Sequence, residues 1–241
     1  MATFIKHEAC PQCGSRDNLG RYSDGSAFCF GCRYTERAGV SPWIGERNGN
    51  DIDDGAVQLN TPTDAGTLLD ERAVVWLSKY GISIPECLKA GFLWSPYWEQ
   101  LLFPLYDSDG KLCCIQAKNF NPQRASKAKY YNVGDKSDSS TCYGSGSTLV
   151  MTEDIVSSLK VGRTTAAMPL LGTHIANNRL AALKQVYQQL VVWLDEDKWR
   201  EARQIADAAK LIGFSARTIL TPIDPKEYSD EDIGHLLGVE E

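Results

Sequence analysis

The chain has 241 residues, 43% of them hydrophobic and 23% charged, the balance of an ordinary folded protein with room for two domains or one domain and an appended module. No run approaches the roughly 18 consecutive apolar residues of a membrane span. Residues 1–6 lack the apolar core of a secretory signal, so no membrane association is expected and the expected place is the cytoplasm. The formal net charge of −6 excludes little, because residues 221–241 carry seven acids and one base while residues 111–136 carry six bases and one acid. A locally basic segment can hold phosphate in an acidic protein.

Residues 1–40 hold four of the eight cysteines, Cys10, Cys13, Cys29 and Cys32, as two Cys-x2-Cys pairs fifteen residues apart. This is the spacing of a four-thiolate zinc ribbon, in which Gly14 and Gly31 ease the turns and one structural Zn²⁺ supplies much of the folding energy of a module too small for its own core. An iron–sulfur or redox use of the same thiols is the alternative, and His7 is a weaker further donor. Between and beyond the pairs lie Arg16, Arg21, Tyr22, Asp24, Ser26, Phe28, Phe30, Arg33 and Tyr34. Interleaved Arg and aromatic residues suit single-stranded nucleic acid, although a plain structural ribbon would also carry some of them. The remaining cysteines, Cys87, Cys113, Cys114 and Cys142, read as ordinary thiols.

Residues 41–66 are rich in Gly, Asn, Asp, Pro and Thr and are expected to form a flexible linker. Residues 67–146 then form a small basic α+β subdomain. LLDERAVVWLSKYG has helical spacing, Ser83 and Pro85 start a second helix, and QLLFPLYD and KLCCIQAK flank Ser108-Asp109-Gly110 as a β-hairpin. From 147 to 241 strands and helices alternate: STLVMTE, IVSSLKVG, TAAMPLLG, NNRLAALKQVYQQ, LVVWLDED, KWREARQIADAAKLIG and ARTILTP. That order predicts an α/β fold with a mostly parallel sheet and helices on both faces, ending in an acidic, solvated tail.

In such folds polar residues at the C-terminal ends of strands line the ligand crevice. Glu153 ends the first of these strands, and Asp195 and Asp197 end a neighbouring one. Read as alternate residues of a strand, Asp195 and Asp197 share a face and aim at one divalent cation, with Asp224 adding a ligand from the loop after the next strand. A solvated acidic strand end is the bland alternative.

The strand-Glu, helix, strand, helix, strand-Asp-x-Asp order resembles the TOPRIM domain of bacterial-type primases, topoisomerases and some nucleases. With CPQCGS and YSDGSAFCFGC in front, and with QAK, DKSD, TED, LLG and LDED behind, the chain resembles bacteriophage-type DNA primases from His7 to about Tyr228. The resemblance implies synthesis of short RNA primers from NTPs on single-stranded DNA. It implies zinc at Cys10, Cys13, Cys29 and Cys32. Catalytic Mg²⁺ or Mn²⁺ would sit at Glu153, Asp195, Asp197 and Asp224. Lys118, Lys129 and Lys136 would hold triphosphate and template, with Lys118 in the catalytic set. Arg16, Arg21, Tyr22, Asp24 and Ser26 would read the template.

Two positions depart from the family pattern. Ser157 stands where an Asp is usual four residues after the Glu, with Asp154 expected to aim elsewhere, and Ser26 stands where related ribbons can carry His. No GxxxxGK[ST] loop is found, so a separate replicative helicase and DNA polymerase are the expected partners, in the cytoplasm of a bacterial host. A TOPRIM-type nuclease and a non-catalytic single-strand-binding replisome adaptor are the rival readings.

Overall fold

Secondary structure follows the apolar patterning closely, and the computed structural model describes residues 3–10, 14–23, 26–30, 35–36, 59–122 and 129–239. The chain divides into two compact units, Met1–Thr63 and Asp64–Glu241.

In the first unit β1 (Phe4–Glu8), β2 (Leu19–Tyr22), β3 (Ala27–Cys29) and β4 (Thr35–Glu36) form an antiparallel sheet in chain order. Among its described residues the buried apolar cluster is small: Cys10, Leu19, Ala27 and Cys29. A core of that size holds little by itself.

The second unit begins where a linker was expected to continue. Gly66 exchanges backbone hydrogen bonds with Trp94 (2.9 and 2.8 Å), and Asp64 accepts from the Ser95 hydroxyl at 2.7 Å. Residues 64–66 are therefore tied to the core, whereas residues 41–58 of the expected linker lie outside the described residues. Helix α1 (Glu71–Ser78) is capped by Asp70, and α2 (Ile84–Lys89) by Ser83 in a reciprocal capping box with Glu86. Strands β5 (Leu93–Ser95), β6 (Gln100–Tyr106), β7 (Leu112–Asn119) and β8 (Tyr130–Gly134) then form an antiparallel sheet, with the expected Asp-Gly hairpin joining β6 to β7.

The C-terminal half is a parallel sheet of order β10-β9-β11-β12, with β9 (Thr148–Thr152), β10 (Ala166–Pro169), β11 (Gln189–Val192) and β12 (Ser215–Thr218). Strand alternation sorts its side chains onto two faces. Leu149, Met151, Met168, Leu190 and Val192 pack under α4 (Asn177–Lys184) and α5 (Trp199–Ile212) through Leu180, Ile205 and Ala209. Val150, Ala167, Val191 and Trp193 pack with Val161 of α3 (Ile155–Val161) and Ile233 of α6 (Asp230–Leu237).

Helix α6 corrects the expectation of a solvated tail. Ser229 caps it, its first turn is Asp230, Glu231 and Asp232, and Ile233 is buried with Leu236 and Leu237 packed behind it. The acids that looked like a repelling run are placed at a helix N-terminus, where the peptide dipoles favour negative charge. Arg163 fastens the helix by donating to Asp230 at 2.9 Å while also pairing with Glu86 of α2 at 2.7 Å.

One glycine contact is tight enough to predict a large stability effect. Gly144 has φ +70, and a Cβ there would lie 1.9 Å from the Gly162 carbonyl oxygen and 2.6 Å from that of Thr165. Left-handed backbone and overpacking together predict that Gly144→Ala costs about 3 kcal/mol. A melting curve should show Tm lower by roughly 6–12 °C. An unchanged Tm would mean that the 143–146 turn is not packed this way.

Candidate functional site

The order of the parallel sheet sets the site. The chain leaves β9 toward β10 on one side and returns to β11 on the other, so a crevice opens at the C-terminal ends of β9 and β11. Asp154, Asp195 and Asp224, one after each of β9, β11 and β12, converge there. One carboxylate oxygen from each lies within 4.8 Å of the others.

Local hydrogen bonds fix each carboxylate. Asp154 caps α3, accepting from the Val156 and Ser157 amides at 2.9 and 3.0 Å and from the Ser157 hydroxyl at 2.7 Å. Ser157 is 0% exposed, so at this position the hydroxyl serves to hold Asp154 rather than to replace a ligand. Asp224 is positioned through a relay: the buried Trp193 indole donates to Thr221 Oγ1 at 2.7 Å, and that hydroxyl donates to the Ile223 carbonyl at 3.0 Å. Asp195 caps a 3-10 turn over Glu196–Lys198 and makes no capping bond with its side chain.

That turn corrects the expectation drawn from strand alternation. β11 ends at Val192, before either aspartate, and successive side chains of a 3-10 turn point about 120° apart. Asp195 therefore faces inward, while Asp197 has a 72% exposed side chain and is paired with Lys198. Asp154, expected to aim elsewhere, joins the group instead. An N-cap aspartate directly after β9 is the signal that placed it, since a capping side chain folds back over the strand end.

The electrostatics are those of a pocket in which carboxylates outnumber cations. Burial, reinforced by Asp224 and Glu153, pushes the Asp195 carboxyl up to about 7. Burial also raises Glu153, with Asp154, Asp197 and Asp224 adding to it and Lys198 opposing. Glu153 Oε2 and Asp195 Oδ1 are buried and lack a hydrogen-bond partner among the described residues. Buried oxygens are rarely left so, and an all-oxygen set with two orphaned lone-pair sites fits a hard divalent cation.

Beside the pocket lies the basic and aromatic edge of the antiparallel sheet. Lys118 on β7 stands opposite Tyr130 on β8, and its ammonium sits 4.4, 4.8 and 5.2 Å from the ring centroids of Trp76, Tyr130 and Phe120. It is only 5% exposed, and burial with help from Lys129 lowers its pKa to about 8. The three rings offset part of that desolvation. Lys129 is exposed and lies 5.7 Å from the Tyr130 centroid. Burial and the charge of Asp154 raise the Tyr130 phenol well above its ordinary value, which links this edge to the acidic pocket. Lys136 stands apart from them, bonded to the Leu171 carbonyl. Residues 123–128 lie outside the described residues.

In the first unit Cys10 and Cys29 are buried together, while Cys13 and Cys32 lie outside the described residues. The Gly14 amide donates to the Cys10 carbonyl at 2.9 Å and Gly14 has φ +68, a tight turn of the kind a Cys-x2-Cys metal knuckle needs. The described residues fit zinc. Arg21 pairs with Glu8 at 2.9 Å and Tyr22 meets Phe4 edge-on at 6.1 Å. Arg16 is exposed, Ser26 half-buried, and Asp24 outside the described residues.

The first unit also carries an aromatic surface that adds Phe4 and His7 to the Phe28 and Phe30 singled out from the sequence. Phe4, His7, Phe28 and Phe30 contact one another in series, at 4.8 Å for Phe4–His7, 6.2 Å for His7–Phe30 and 5.1 Å for Phe28–Phe30. Gly20 lies under the surface: a Cβ there would meet the Phe30 ring at 3.0 Å and the Phe4 ring at 3.4 Å. His7, weighed above as a metal donor, is thus a member of this surface. Phe4 was missed because one aromatic in an exposed strand reads as incidental.

No protein-family profile matches the chain, and no curated protein sequence does. Solved structures do. The primase fragment of the bacteriophage T7 primase-helicase superposes with a TM-score of 0.51 at 19% identity, over 99% of this chain and 97% of that one. The zinc-binding and RNA polymerase domains of the Aquifex aeolicus primase give 0.59 at 13% identity, over 98% and 80%. A DnaG primase catalytic domain bound to single-stranded DNA gives 0.56 at 16% identity, over 70% and 71%. At these identities the likeness is one of fold, and over nearly its whole length the chain has the fold of bacteriophage and bacterial DNA primases.

Proposed function

We propose that the chain is a DNA primase that makes short RNA primers from NTPs on single-stranded DNA. The observation that carries this is the acidic pocket, at the switch point of a primase fold, set against a lysine- and tyrosine-bearing sheet edge. Residues 1–40 would be a zinc ribbon that reads the template, 41–63 a linker, 64–146 the basic subdomain and 147–241 a TOPRIM domain. Glu153, Asp195 and Asp224, with Asp154, would hold Mg²⁺ or Mn²⁺, which when bound would stabilise charge developing on the triphosphate. Asp197, at the rim, would contribute through solvent.

The chain's own groups would do the rest. Lys129 is free to meet a phosphate, and Lys118 would reach one if its aromatic box opened. Lys136 would steady the loop at Leu171. In the reaction a primer 3′-oxygen bonds to the α-phosphorus of an NTP, the α–β bridge breaks, and pyrophosphate leaves as the hydroxyl proton passes to solvent. The aromatic surface with Phe4, His7 and Phe30, together with Arg16, Arg21, Tyr22, Asp24 and Ser26, would stack on and orient template bases. A separate helicase and DNA polymerase would be its partners.

Full-length protein should be given single-stranded DNA, Mg²⁺ and labelled NTPs, and in parallel end-labelled DNA without NTPs. Oligoribonucleotides in the first reaction with intact DNA in the second are expected. Cleavage alone would indicate a nuclease, and binding with neither reaction an adaptor; either outcome overturns the proposal.

A further inference from the structure

The acidic pocket already contains a cation of its own. Lys226 enters it from a 3-10 turn over Pro225–Glu227, two residues after Asp224. Its ammonium lies 3.0 Å from Asp154 Oδ2 and is bonded to Asp224 as well, so it bridges two of the three converging carboxylates. The side chain is only 14% exposed, and the Tyr80 ring covers it with its centroid 5.8 Å from the ammonium. Among the described residues no donor reaches Glu153 Oε2 or Asp195 Oδ1, both of which are buried.

The carboxylates are therefore unequally served. Asp154 and Asp224 are neutralised by an amine with directed hydrogen bonds, whereas Asp195, which converges with them, and Glu153 have buried oxygens without a donor among the described residues. Two divalent ions that bridge attacking and leaving oxygens sit about 3.5–4 Å apart, each needing carboxylates of its own. An ammonium bridging Asp154 and Asp224 takes the oxygens that one of those ions would require.

We propose that Lys226 is the site's built-in countercation: it occupies the Asp154–Asp224 half of the pocket in place of a second divalent ion, so that this chain holds a single one at Glu153 and Asp195. The proposal rests on the metal-binding role given to the pocket above and narrows its ligands from four carboxylates to Glu153 and Asp195. Lys226 is a positioning residue, since it also sets Asp154 and Asp224 in their converged geometry without metal. Replacing it with a neutral side chain leaves four carboxylates facing one another, which opens the second half to a cation. Replacing it with Arg keeps the charge and keeps that half closed.

Equilibrium Mn²⁺ binding to the full, zinc-loaded chain, followed by the electron paramagnetic resonance signal of free Mn²⁺, tests this directly. The unaltered chain is expected to bind about one Mn²⁺, Lys226→Met and Lys226→Gln about two, and Lys226→Arg about one. Mn²⁺ should also raise Tm further in the Met and Gln variants than in the unaltered chain. If the unaltered chain binds two ions, or if all four proteins bind alike, Lys226 is not a substitute cation, although the pocket remains a metal site. If none binds Mn²⁺, the metal-binding role of the pocket fails and this inference fails with it. Should the neutral variants not fold, the count on the unaltered chain and on Lys226→Arg decides.

Discussion

Asp195→Asn is expected to lower primer synthesis by roughly 10²–10³-fold, the range for losing one preorganised electrostatic contact in a reacting site. The same substitution should make the protein more stable in the absence of divalent ions. Asp195 has an ordinary pKa near 3.8 and is raised to about 7 in the fold, first by burial and then by Asp224 and Glu153. The folded chain thus keeps a proton that the unfolded chain releases. As pH rises through the window between these values the folded state loses stability relative to the unfolded one, and the full penalty is present above about pH 7. Asparagine carries no charge and removes it. Discounted for solvent reaching the pocket, the gain at pH 8 is on the order of 1 kcal/mol, or roughly 2–4 °C in Tm. It should shrink as pH falls and disappear below about pH 3, where Asp195 is protonated in both states. Primer yield and Tm measured on one preparation check both parts. A variant that was inactive but less stable at pH 8 would mean that Asp195 has a partner the pocket does not reveal.

Cys29→Ala should have an equally large effect confined to the first unit. Among the described residues Cys29 and Cys10 share their buried cluster with Leu19 and Ala27, a core that by itself holds little of the β1–β4 sheet. Structural zinc supplies about 10–16 kcal/mol of apparent binding energy in peptides of comparable size. Loss of one thiolate should release the metal and unfold the ribbon. Amide hydrogen exchange should show β2 and β3 losing protection, while β9 and β11, in a unit with its own apolar cores, keep theirs. In function, the variant should fail to start primers on single-stranded DNA yet still extend a preformed oligonucleotide, because the acidic pocket lies entirely in Asp64–Glu241. Protection retained in β2 and β3 after metal analysis shows no zinc would contradict the structural role of the metal.

The parts of the fold written in periodicity were legible from the sequence. Strand alternation sends Leu149 and Met151 to one face and Val150 to the other, and Ser83 with Pro85 announced α2. The capping and hairpin signals are local, so tertiary context had little to override. The pocket was legible only in outline. Glu153, Asp195 and Asp224 could be placed at strand ends by counting, but the direction of each side chain depends on where the strand stops. β11 stops at Val192, and the 3-10 turn that follows turns Asp197 outward, a break that LVVWLDED does not signal. Asp154 was misjudged because its identity as the cap of α3 outranks its place next to Glu153. Lys118 was expected to hold phosphate from a basic run, and only the pairing of β7 with β8 brings Tyr130 and Trp76 around it. Lys226 was hidden for a different reason: as the single base among the acids of residues 221–241, it read as part of a solvated tail. Packing of Ile233 draws that segment onto the sheet.

The central claim is that the pocket at the ends of β9 and β11 builds RNA on a DNA template. Its most direct test is to sequence the oligoribonucleotides made from four NTPs on a single-stranded DNA of defined sequence, by the unaltered chain and by Asp195→Asn side by side. Short products complementary to the template, dependent on Mg²⁺ or Mn²⁺ and missing from the Asp195→Asn reaction, are predicted. Products unrelated to the template, or products made equally well by Asp195→Asn, would contradict it.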